Sequence, residues 1–271
     1  MCNTDMTKLL VNEMFASIAG EGERMVNPNF FLRLSGCNLY CSWKGIMGVS
    51  VCDSLYASHP DNLNEIKFKD VDSVYSELEK LFKEYPNIKQ LTITGGEPLL
   101  QPKGLDELLK RLFDEHEDFS ISIETNGTIS PTVLKNKDYV DLWTVSPKLQ
   151  SSCCFDDKVP QAVQQYHSQH RINYNALYEF IDWYCLQTFN FKFVIASEDD
   201  VEEVRQIVKN LNKEWNRGAY NLNEFIYIMP CGETREKLEE MRKYCVEVCK
   251  KEGWNYTDRL QVVIWGDKRG V

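Results

Sequence analysis

The chain has 271 residues, 27% of them charged, and a net charge of −10. Such a length buries one large core and nothing in the composition forces a division, so residues 1–271 are expected to form a single domain. The acid excess leaves no broad basic face for a nucleic-acid backbone or an anionic membrane, and a small-molecule substrate or a protein partner fits better. No apolar run approaches the roughly 20 residues that span a bilayer, and the N-terminus lacks the basic-then-apolar order of a secretory signal. A cytoplasmic protein is expected, in which the ten cysteines are packing residues and metal ligands rather than disulfides.

In chain order, residues 11–18 alternate weakly and lead into Ala19-Gly20-Glu21-Gly22, where glycines permit close approach to a ligand. The first core strand is Phe30-Phe31-Leu32-Arg33-Leu34; alternation turns Arg33 away from Leu32 and Leu34, either as a solvated edge residue or as an inward anchor for a carboxylate. Asp70 is an N-cap for an amphipathic helix through Val71, Val74, Leu78, Leu81 and Phe82 that stops before Pro86. Strand 91–93 and a helix through Leu105, Leu108, Leu109, Leu112 and Phe113 follow. Strands 119–123 and 142–145 come next, and then a polar, aromatic-rich insertion over about 150–190 whose clearest helix lies near 176–186. Strand 191–195, helix 200–211, strand 225–229 and helix 234–251 precede a last strand predicted over 260–265 and a basic tail. Strands alternating with helices indicate parallel βα units, and six of them form a partial or complete barrel more naturally than a sandwich.

Polar clusters sit at the ends of these strands: Cys37, Cys41 and Cys52 with Asp53 and Ser54, then Thr94-Gly95-Gly96-Glu97-Pro98, Glu124-Thr125-Asn126-Gly127 and Ser146-Pro147-Lys148. In a parallel barrel the C-terminal strand ends converge on one mouth, where chemistry is placed. Three clustered thiols are odd for disulfides and one short of a closed zinc site, whereas a four-iron cluster held by three thiolates keeps one iron open. A buried free-cysteine trio and a zinc site completed by a distant ligand such as His59 remain alternatives. Glu97 either meets a ligand or braces the glycine turn, Ser54 offers a hydroxyl to a ligand or is a turn residue, and Lys148 is a ligand or a solvated cation. Cys245 and Cys249, four apart on a helix, have no nearby ligand partners.

The cysteine loop followed by Gly95-Gly96-Glu97-Pro98 resembles the radical S-adenosylmethionine (SAM) superfamily. Within it, Gly20-Glu21-Gly22, 31–39, Glu124-Thr125-Asn126-Gly127, Ser146-Pro147-Lys148, 192–195 and the tail 265–271 are similar to the 7-carboxy-7-deazaguanine synthase family. The resemblance implies an α/β fold, a partial (β/α)6-type barrel with a helical, aromatic insertion and a C-terminal strand extension. It implies a [4Fe–4S] cluster on Cys37, Cys41 and Cys52, a Mg2+ ion on Ser54, and SAM held by Val51, Asp53, Gly95, Gly96, Glu97, Ser146, Pro147, Lys148, Met229 and Pro230. The substrate, 6-carboxy-5,6,7,8-tetrahydropterin, would meet Ile18, Ala19, Gly20, Glu21, Arg33, Thr94, Glu124, Gln261 and Val271.

The implied reaction is a radical ring contraction with loss of ammonia in queuosine biosynthesis, with a flavodoxin- or ferredoxin-type electron donor and a homodimeric enzyme. The family loop usually reads Cys-x3-Cys-x2-Cys, whereas here Lys44 to Val51 separate the second and third cysteines; a longer loop adds only about 0.6 kcal/mol per doubling. Ser54 stands where relatives carry threonine, and Gln261 where some carry histidine. A glycyl-radical activating enzyme and a non-catalytic, nucleotide-binding regulatory homologue are the alternative readings.

Overall fold

The computed structural model describes residues 7–45, 48–59, 67–182, 188–214, 221–266 and 268–270. Its centre is a sheet of nine strands: β1 (Lys8–Ile18), β2 (Pro28–Leu34), β5 (Lys67–Asp70), β6 (Gln90–Gly95), β7 (Ser120–Thr125), β8 (Leu142–Val145), β9 (Thr188–Ile195), β10 (Ile226–Pro230) and β11 (Asn255–Tyr256). Their order is β11-β10-β9-β8-β7-β6-β2-β1-β5, and the two ends are not joined. From β2 to β11 every pair is parallel, while β1 runs antiparallel to β2 and β5. The result is an open, partial barrel of the expected α/β class.

Helices α2 (Val71–Glu84), α3 (Pro102–Glu115), α6 (Glu198–Glu214) and α7 (Arg235–Glu252) provide crossovers between parallel strands. The Asp70 carboxylate accepts from the Ser73 N–H at 2.7 Å and caps α2, satisfying a donor that a helix start leaves free. Gly253, at φ +71°, ends α7 in the left-handed conformation common after a helix.

Alternation gives the sheet two unlike faces. Leu91, Ile93, Ile121, Ile123, Trp143, Val145, Phe189, Phe191 and Phe193 share one core with Leu105, Leu108, Val204 and Ile207 of the helices. The intervening Thr92, Thr94, Ser122, Glu124, Thr144, Ser146 and Lys192 face a central cavity. One face holds the fold together and the other is free for a site.

Several sequence expectations are corrected. The run Leu260–Trp265 is helix α8 rather than a strand, so the C-terminal strand extension is confined to the two residues of β11, before that helix. A six-residue apolar run does not by itself distinguish strand from helix, and here the chain turns back over the cavity, with Leu260 N–H donating to the Gly20 carbonyl at 2.8 Å. The insertion carries α4 (Gln161–His170), whose polar sequence hid it, and α5 (Tyr174–Asp182); the remainder of the helix expected to residue 186 lies outside the described residues. The segment separating Cys41 from Cys52 forms an antiparallel ribbon, β3 (Ser42–Gly45) with β4 (Gly48–Val51). The short helix α1 (Leu55–Ser58) follows it.

Candidate active site

The ribbon decides where the second and third cysteines stand. Ser42 pairs with Val51, and the Cys52 N–H donates to the Cys41 carbonyl at 3.2 Å. The extra residues therefore return the chain to its starting point instead of opening a loop. Cys37, Cys41 and Cys52 all line one cavity of about 270 Å³, and apolar contacts with Leu39, Trp43, Val194 and Ala196 enclose them.

Among the described residues no three His, Cys, Asp or Glu side chains meet at a point suited to a single metal ion. That disfavours a zinc centre. A cubane is different: each thiolate binds its own iron, so the sulfurs surround a volume rather than a point. Burial pushes all three thiols up, Cys52 to about 12, with Lys148 acting in the opposite direction. Without metal these are neutral thiols at pH 7; iron would supply the charge that makes them thiolates. The residues thus fit a [4Fe–4S] cluster.

The glycine turn packs directly on this loop. Gly95 has φ +120°, and a Cβ on Gly96 would stand 1.9 Å from the Gly36 carbonyl oxygen. The Gly96 N–H donates to Leu34 O at 3.0 Å and the Glu97 N–H to Gly36 O at 2.8 Å. Glu97 itself is 0% exposed and does not line the cavity. Its carboxylate accepts from Leu99 N–H (3.0 Å), Asn126 N–H (2.7 Å) and the Thr125 hydroxyl (2.8 Å). Burial nevertheless raises its pKa, against those hydrogen bonds. Glu97 braces the turn, and Asn126 extends the brace to the metal side by approaching Cys37 Sγ at 3.8 Å.

In the same cavity, Lys192 Nζ lies 2.6 Å from Glu21 and 3.8 Å from Glu124. The Thr94 hydroxyl donates to Glu124 at 2.7 Å and the Gln261 amide to Glu21 at 3.1 Å. Burial would push Glu21 up, but Lys192 and Arg259 outweigh it and hold the carboxyl below its ordinary range. Gly20 is placed so that Gln261 Oε1 lies where a Cβ would stand. Arg33 Nε contacts Glu13 at 2.8 Å and its Nη1 donates to the Ser54 hydroxyl at 3.0 Å. Ser54 in turn donates to Asp53 at 3.2 Å. Asp53 is held at about 2: burial raises it, and Arg259, Arg33 and Lys192 more than reverse that.

Ile18, Ala19, Val51, Ser146, Lys148 and Met229 also line the cavity, with Lys148 Nζ 2.9 Å from Ser146 Oγ. Pro147 and Pro230 are buried behind it, and Val271 lies outside the described residues. Sequence reasoning missed Lys192 and Arg259 as site residues. A lysine amid the phenylalanines of β9 was a visible signal; Arg259, which ion-pairs with Asp53 and binds Gly232 O, had none.

A strand-end mouth lined by three cysteines and a glycine turn defines a radical SAM protein, and residues 33–245 match the Radical SAM superfamily model. Over 265 residues the chain is 30% identical to the 7-carboxy-7-deazaguanine synthase of Rhodopirellula baltica, covering 98% of this chain and 90% of that protein. The synthase of Halobacterium salinarum is 31% identical over 267 residues, 97% of this chain and 93% of its own. The chain belongs to the 7-carboxy-7-deazaguanine synthase family, and is a radical SAM enzyme. The crystal structure of QueE from Escherichia coli has the same fold, with TM-score 0.62 at 19% identity over 93% of this chain and 94% of that one.

Proposed function

We propose that the chain converts 6-carboxy-5,6,7,8-tetrahydropterin into 7-carboxy-7-deazaguanine, with overall loss of one NH3. The observation that carries this reading is a single cavity lined both by three thiols and by Arg33, Ser54, Glu21, Lys192 and Glu124. When bound, the cluster and SAM supply a carbon radical that removes one substrate hydrogen.

The chain's own residues orient and desolvate. Gly95 and Gly96 bring backbone against the amino-acid portion of SAM, and Ser146 with Lys148 serves its ribose or carboxylate. Arg33 anchors the substrate carboxylate, and Glu124, Glu21 and Thr94 receive the N–H groups of the pterin edge. Ser54 would offer a magnesium ion one oxygen beside the Asp53 carboxylate, and the ion would supply positive charge for the substrate carboxylate. Ile18, Ala19, Gly20 and Gln261 shape the edge of the ring site.

The tail supports a small substrate over a protein one. Gly266, Lys268, Arg269 and Gly270 line the cavity, and the Arg269 guanidinium stacks 3.8 Å over Tyr56. A chain end drawn over the mouth obstructs a protein loop. A flavodoxin- or ferredoxin-type donor, a homodimer and a cytoplasmic location complete the proposal; a monomer by sedimentation removes the dimer.

The test is anaerobic reconstitution with iron and sulfide, followed by incubation with reductant, SAM, magnesium and the carboxytetrahydropterin. Formation of 7-carboxy-7-deazaguanine is expected. A fully loaded cluster that cleaves SAM without giving that product overturns the substrate assignment.

A further inference from the structure

The cavity continues past the substrate-facing layer. Below Thr94, Glu124 and Thr144 it is lined by Thr92, Ser122 and Leu142, then Asn29, with Arg24 and Glu23 also in the lining. Sheet register sets the strand layers, with Thr92 paired to Ser122 and Ser122 to Leu142 one inward step toward the strand starts from the Glu124–Thr144 pair. Glu23 is exposed, so the lower end reaches solvent on the side away from the cysteines.

Packing alone does not account for this lining. The interior of a parallel barrel is ordinarily filled by branched apolar side chains, yet here buried hydroxyls and amides occupy the inward positions. Asn29 and Asn190 are both 0% exposed. Asn29 donates to Thr92 Oγ1 at 2.6 Å, Thr92 meets Ser122 Oγ at 2.9 Å, and Asn190 donates to Glu23 at 3.3 Å. Among the described residues Asn29 Oδ1 and Arg24 Nη1, both on lining residues, are buried without partners, as are Asn190 Oδ1 and Ser17 Oγ outside the lining. Buried polar atoms of this kind are normally satisfied by ordered water. Asn29 Oδ1 is an acceptor, and with the Glu23 carboxylate it suits a small molecule rich in N–H donors.

We propose that the lower half of the cavity is a hydrated passage through which the ammonia expelled from the substrate leaves toward Glu23, away from the mouth that SAM and substrate enter. This rests on the function proposed above. The tail and the bound reactants obstruct the upper mouth during turnover, whereas the lower lining offers a file of hydroxyl, amide and carboxylate groups from Glu124 to Glu23. Neutral ammonia passes Arg24, whose guanidinium is also hydrogen-bonded to Ser120 Oγ at 2.7 Å.

Two variants test the passage from outside the substrate layer. Asn29→Leu dries it at similar side-chain volume, and Leu142→Phe narrows it; circular dichroism establishes that each folds. In single-turnover stopped-flow experiments on loaded enzyme, wild type should release ammonia, read continuously by a glutamate dehydrogenase couple, before the deazaguanine dissociates. In the variants, ammonia should lag to the rate of product dissociation, by 5-fold or more, with 5′-deoxyadenosine formation within 2-fold of wild type.

Crystals of the cluster-free protein give a second readout, in which ordered solvent should bond Asn29 and Asn190 and run to Glu23. A dry or side-chain-filled lumen overturns the passage. So does ammonia that leaves wild type only with the product, or that leaves both variants on the wild-type schedule. If no deazaguanine forms at all, the failure is that of the reaction assignment.

Discussion

Gly96 is the residue at which the two halves of the cofactor site depend most closely on one another. A methyl group there would stand 1.9 Å from Gly36 O and 2.5 Å from Gly36 C, both backbone atoms with no rotamer to escape into. Gly96→Ala must therefore push the glycine turn off the loop that begins at Cys37. Overpacking at such a contact costs about 1–3 kcal/mol. Urea unfolding of the cluster-free variant should show that loss, and iron bound per chain after reconstitution should fall below wild type. An unchanged midpoint together with full iron loading would refute this coupling. The glycine pair and the cysteines were legible in the sequence because special backbone needs leave unusual residues. The Glu97 brace was legible only as an alternative, since composition cannot say whether a carboxylate faces the cavity or the turn behind it. Arg259 was not legible, because only the return of the chain after α7 brings it to Asp53.

At the scale of elements, the insertion is anchored through a histidine. His167 on α4 is buried, its Nε2 lies 3.0 Å from Ser152 Oγ, and Phe155 packs edge-on against it at 5.3 Å. Burial, then the nearby Arg171 and Lys148 charges, push its pKa down to about 4. In the unfolded chain the same ring takes a proton near pH 6.5. Between pH 6.5 and 4 the unfolded state binds more protons, so stability falls as the pH falls, by up to about 3 kcal/mol. In His167→Gln that component should vanish; measuring urea midpoints of both proteins from pH 7 to 4 decides it, and parallel profiles would rule it out. The helix itself was illegible because the sequence of α4 is polar on nearly every side, and His167 is its one buried residue. Strands β2 and β6 to β8 were legible for the opposite reason, since each carries apolar residues at every second position and ends on a polar motif, whereas the two-residue β11 left no such signal. The β3–β4 ribbon fell between, since ten residues between two cysteines read as a loop until their pairing is seen.

The whole molecule is organised by the contrast between the two faces of one sheet. A single apolar cluster runs from Leu9 on β1, through Leu108 of α3 and Phe180 of α5, to Trp254 beside β11. The antiparallel β1 is tied into it rather than appended, because Gly104 of α3 packs so closely that a Cβ there would meet the Leu9 side chain at 2.8 Å. The insertion is tied in likewise, with Leu177, Phe180 and Ile181 in the same cluster. Chains beyond about 150 residues often populate intermediates, and a separable N-terminal ribbon or helical insertion would be the natural candidate. Shared burial argues against both, since neither can leave without exposing core that belongs to the rest. The cluster-free protein should unfold in one transition, with far-UV circular dichroism and tryptophan fluorescence superimposed along the urea axis. Trp143 in β8 and Trp254 beside β11 report on different parts of the sheet, and Trp43 reports on the ribbon. If the fluorescence curves of single-tryptophan variants retaining Trp143 or Trp254 separate while each remains cooperative, the sheet comprises two units and the single-domain reading fails. A separation confined to Trp43 would mark local opening of the ribbon, whose contacts are with the cysteine pocket rather than with the main core.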